Sequence, residues 1–94
     1  MSDETQDIAY WDRADEIINL ANQQTEDAAS DDVNSSLLYA TARFNAFLVA
    51  ASAENADEIK AGKAAAIEFF TEQYRQLLSD NIDDYIENFD EYNA

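Results

Sequence analysis

The residues of this chain best suited to chemistry are carboxylates, and several come as neighbours: Asp15 with Glu16, Asp57 with Glu58, Asp83 with Asp84. Such pairs can share a proton for acid–base work or hold a hard cation through oxygen ligands. Their spacing weakens that reading, because consecutive residues on a helix face different directions and a chain with 21 Asp and Glu produces adjacent acids by chance. A solvated face is the stronger reading for all three pairs. Asp32 and Asn34 begin the pattern of a calcium-binding loop, but the glycine and the Glu that complete it are missing. There is no His and no Cys, which removes the imidazole base, the thiol nucleophile, the disulfide and the Glu-x-x-His ligands of a di-iron bundle. Ser35, Ser36, Thr41 and Ser52 have only carboxylates or lysines to activate them and no glycine-rich elbow, so they read as helix-surface or capping hydroxyls. The chain reads as non-enzymatic, with no catalytic residue, metal site or cofactor.

The elements that would position any site are helices. One Gly and no Pro in 94 residues leave little to punctuate sheets or long loops. The segment Val33–Ala53 contains no Asp or Glu, and Arg43 is its one charge. Val33, Leu37, Ala40, Phe44, Phe47 and Ala51 recur at alternating spacings of four and three, while Leu38, Tyr39, Ala42, Ala46 and Val49 lie on the other side. A helix apolar nearly all round must be covered on most of its circumference, which predicts that this second helix is central. Ahead of it, residues 1–7 read as a disordered lead and helix one as starting near Asp7 or Ile8, with Ile8, Trp11, Ala14, Ile18 and Ala21 on its inner stripe. Ser30, Asp31 or Asp32 can cap helix two, and Asn55 with Glu58 forms a capping box for helix three. Gly62, in that helix, reads as a gap into which the Phe47 ring packs. The acidic amphipathic segment 79–94 keeps Ile82, Tyr85, Ile86, Phe89 and Tyr92 at helical spacing and reads as a fourth helical segment. The fold expected is all-α: one domain over 1–94, an antiparallel three-helix core with helix two central and a fourth C-terminal helical segment.

Two polar features stand out inside this frame. Arg43, at the edge of the apolar stripe, is placed to form a partly buried ion pair with Glu16 or Glu68. Asn45, inside the most apolar stretch, reads equally as a register-fixing residue at an interface and as a side chain facing water. Trp11, Tyr39, Phe44, Phe47, Phe69, Phe70 and Tyr74 can line a ligand cavity, though aromatics at helical spacing are more often core.

The formal net charge of −16 argues against nucleic-acid phosphates and anionic membrane surfaces as partners, and permits a basic protein. No run reaches transmembrane length and the first residues are unlike a signal peptide, so the expected compartment is the cytoplasm. The blocks LLYATARFNAFLVAASAEN (37–55) and AIEFFTEQYRQLLSDNIDDYIENFDEY (66–92) resemble a family of small proteobacterial proteins, domain of unknown function family 3144. That resemblance implies a bacterial cytosolic origin and carries over no site residues.

The reading these features favour is an acidic helical interaction module that forms a homodimer. Its interface is expected to join Leu38, Tyr39, Ala42, Ala46 and Val49 of helix two to Ile82, Tyr85, Ile86, Phe89 and Tyr92 of the C-terminal segment. One alternative is a small-ligand-binding or carboxylate-dependent protein. The other is an acidic mimic of nucleic acid that captures a basic protein.

Overall fold

Without proline and with a single glycine, nothing in the covalent chain stops helices except polar clusters, and the structure follows that rule. The computed structural model describes residues 3–92, and their side chains over 8–91. It is all-α: α1 spans Asp3–Gln24, α2 Ser30–Ala51, α3 Ala56–Glu87 and α4 Phe89–Tyr92, with no strand among the described residues. The chain groups into two compact units, Met1–Phe44 and Asn45–Ala94, so that α2 contributes to both.

In the first unit α1 starts at Asp3, earlier than its apolar periodicity suggests, because nothing in the acidic lead breaks a helix. The expected disorder of Met1 and Ser2 lies outside the described residues. α1 ends where its last turns tighten: the amides of Glu26 and Asp27 donate to the carbonyls of Gln23 and Gln24 at 3.2 and 3.1 Å. α2 opens without a side-chain cap. The Ala29 carbonyl accepts from the amides of Asp32 and Val33 at 3.0 and 3.1 Å, and Asp31 and Asp32 instead place negative charge in the electropositive first turn.

In the second unit the start of α3 matches its sequence signal closely. Asn55 is the N-cap in extended conformation, and its Oδ1 accepts from the Glu58 amide at 3.0 Å. The Glu58 carboxylate reaches back to the amide of Glu54 at 2.9 Å, one residue before the cap, so the reciprocal box is shifted by one position. Asn55→Ala is expected to lower stability by about 1 kcal/mol, measured as a shift in the urea midpoint with unchanged slope. α2 closes onto this turn through bonds to its own last carbonyls: Ser52 Oγ donates to Val49 O at 3.0 Å and the Ala53 amide to Ala50 O at 3.2 Å.

Two expectations about α3 are corrected. Gly62 does not receive Phe47: a Cβ added there meets nothing within 4 Å, and the Phe47 side chain is exposed. The residue therefore keeps the conformational cost of glycine with no packing return, and Gly62→Ala is expected to stabilise the protein by roughly 0.5–1 kcal/mol. A melting temperature that falls in this variant would contradict the open environment. Nor does a separate segment begin at Ser79. α3 runs unbroken for 32 residues, about 48 Å at 1.5 Å per residue, and stops only at Glu87. Polar side chains in the stretch that reads as a stop are folded back onto the helix: Asn81 Nδ2 donates to Leu77 O at 2.7 Å, and Gln76 Nε2 to Asp80 Oδ1 at 3.0 Å. The break falls at Asn88, whose amide donates to Asp84 O at 3.0 Å while its side chain donates to the same carbonyl and to Asp84 Oδ1. The fourth element is thus a single turn.

Candidate interaction surface

In the first unit the inner face of α1 meets α2 across a cleft of about 280 Å³, lined by Ile17, Leu20, Ala21 and Gln24 on one side and Val33, Ser36, Leu37 and Ala40 on the other. The late residues of α1 face the early residues of α2, the arrangement of an antiparallel hairpin with a short connection. Val33, 7% exposed, is the buried hydrophobic residue of the described chain. Of the stripe expected on α1, Ala14 and Ala21 are half-buried and Ala21 lines the cleft with Ile17, while Ile17 and Ile18 are about equally exposed. The α2 residues expected to point away, Leu38, Tyr39 and Ala42, are exposed, Tyr39 to 69%. Arg43 is exposed as well, and within this unit no ion pair joins it to Glu16. The expected partly buried pair is absent there, because Arg43 projects to water rather than along the covered edge.

In the second unit Val49 is half-buried and Ala46 exposed, so α2 does not keep all of its expected outer residues uncovered. Asn45 is half-buried. On α3, Ile59, Ala66 and Phe70 form a half-buried line. A second line lies about a quarter turn away at roughly 100° per residue: Ile67, Thr71, Tyr74, Leu78, Ile82 and Tyr85, all exposed. Along it runs a groove of about 440 Å³, lined by Thr71, Tyr74, Arg75, Leu78, Ser79, Ile82 and Asp83. Arg75 is drawn to its own helix by Glu72, Nε to Oε2 3.5 Å, the ion pair found among the described residues.

The structure therefore places Ile82, Tyr85, Ile86 and Phe89 on exposed surface, as the pattern of the C-terminal segment suggests. The side chain of Tyr92 lies outside the described residues. The upstream half of the same face, Ile67, Tyr74 and Leu78, escapes a reading that divides the helix after Leu78. Its signal is nonetheless in the sequence, as an uninterrupted four-three-four spacing from Ile67 to Leu78. Within the second unit Phe69 packs edge-on to Phe70 with ring centroids 5.4 Å apart, and within the first Tyr10 packs edge-on to Trp11 at 5.0 Å, both pairs of sequence neighbours. Among the described residues no group of three or more acids is placed to hold a metal ion. No described helix is long and apolar enough to cross a membrane.

The model of one family, described as "Protein of unknown function (DUF3144)", matches residues 10–86. The chain belongs to the DUF3144 family. Among solved structures, the NMR structure of the protein NB7890A from Shewanella sp. is similar to it, with 37% sequence identity over 90% of this chain and 91% of that one and a TM-score of 0.76. No curated protein matches significantly. The DUF3144 match spans most of α1, all of α2 and the groove-bearing length of α3, so the exposed face described above lies within the family's own region.

Proposed function

We propose that this DUF3144 chain is a non-enzymatic, acidic helical interaction module of the bacterial cytosol that works as a homodimer. The observation that carries this reading is uncovered apolar surface. In the second unit Leu78 and Ile82 are exposed and α3 has no buried residue, and in the first unit Leu38 is exposed.

A continuous apolar helix face seldom stays wet. In the second unit α3 runs on to Glu87, and the four-residue α4 is too short to cover its exposed face. The acids support the same reading. Asp80, Asp84 and Glu87 lie outside the apolar line of Leu78 and Ile82, where they keep free chains soluble, and Asp83 borders the groove. Sedimentation velocity from low to high micromolar concentration tests the proposal. It is expected to give twice the 10.6 kDa chain mass, and a single monomeric boundary at the highest concentration would refute it.

A further inference from the structure

Resting on that homodimer reading, we infer that the exposed face of α3 is self-complementary and packs antiparallel against the same face of a second copy, with the two-fold axis between Thr71 and Tyr74. Reversed onto itself, the face sets small against large at Thr71–Tyr74 and Ala64–Ile82 and apolar against apolar at Ile67–Leu78. Thr71 meets Tyr74 across the axis and Ile67 meets Leu78; further out, Ala64 meets Ile82 and Lys60 meets Tyr85. All of these residues are exposed on one helix, and the groove between Thr71 and Ile82 is the depression such a partner fills.

Charge selects the same direction. The stretch from Ile59 to Ile67 carries Lys60 and Lys63 and no acid, whereas beyond Arg75 every charge on α3 is negative: Asp80, Asp83, Asp84 and Glu87. A parallel pair sets Lys60 on Lys60 and the acidic half on itself. The antiparallel pair sets the lysines, whose long stems reach around the helix edge, beside the acids of the other copy. Gly62 projects from the opposite side of α3 and takes no part.

The chain has no cysteine, so introduced thiols report only this contact. The full-length variants Lys60→Cys and Tyr85→Cys are mixed, allowed to exchange and mildly oxidised, and the products are resolved by mass. In the antiparallel dimer, like positions lie about 37 Å apart along the axis, beyond disulfide reach, so essentially all cross-linked product joins Lys60→Cys to Tyr85→Cys. A second pair, Ile67→Cys with Leu78→Cys, guards against a local failure of the first and is expected to behave alike. Homodisulfides of each variant alone would overturn the antiparallel arrangement, as would a dimer that forms neither mixed product. A monomer in light scattering under reducing conditions would overturn the homodimer reading itself, before any cross-link is scored.

Discussion

Ile82→Glu is expected to convert the dimer to monomer while leaving the helical circular dichroism unchanged. Ile82 sits in the α3 groove with 51% of its surface exposed, so the single chain accommodates glutamate without a clash, and glutamate is a good helix former. In the dimer the same carboxylate replaces the apolar contact of Ile82 with Ala64 of the second copy and stands next to Asp83, and the exposed lysines of that copy compensate it only in part. Burying an uncompensated polar group costs about 1–3 kcal/mol in proteins. A two-fold dimer carries the change twice, about 2–6 kcal/mol in all, so the dissociation constant is expected to rise by roughly thirtyfold to twenty-thousandfold. Sedimentation equilibrium of the two proteins under one buffer measures this. A change within a few fold would show that the face is not in the interface.

The melting temperature is expected to rise by about 4–8 °C between low and physiological ionic strength, the shift that about 1 kcal/mol produces in a domain of this size. Five bases oppose 21 acids, and the ion pair of the described residues, Arg75 with Glu72, has both side chains 70% exposed. Exposed pairs of that kind contribute little, so most of the carboxylate self-repulsion is left for solvent ions to screen. The Debye length falls from roughly 30 Å at 0.01 M to about 8 Å at 0.15 M salt, which removes repulsion both within a chain and between two paired chains. A flat or falling melting temperature would mean that specific contacts already neutralise the acids.

What the sequence reveals about this protein divides along physical lines. The Asn55 cap and its Glu58 partner are legible because capping is local: three residues and two amides decide it. The three long helices are legible for the same reason, through spacing and the lack of breakers. Gly62 is not, because whether a glycine faces a ring or open space depends on a register between helices that side-chain size alone does not settle. The end of α3 is misread because Ser79, Asp80 and Asn81 resemble a stop; their hydrogen bonds to the preceding and following turns let the helix pass through them. The pairing of Arg43 with Glu16 is not legible either, because an arginine in an apolar stretch suggests a buried partner, whereas within its own unit the side chain is exposed and pairs with no such acid.

Contact between two copies through α3 is tested most directly by an isotope-filtered nuclear Overhauser experiment on a mixture of labelled and unlabelled full-length chains. The account predicts intermolecular contacts between the methyl groups of Ile67 and Leu78, and between Ala64 and Ile82, at concentrations where the dimer is populated. A spectrum in which these residues contact only protons of their own chain would contradict it.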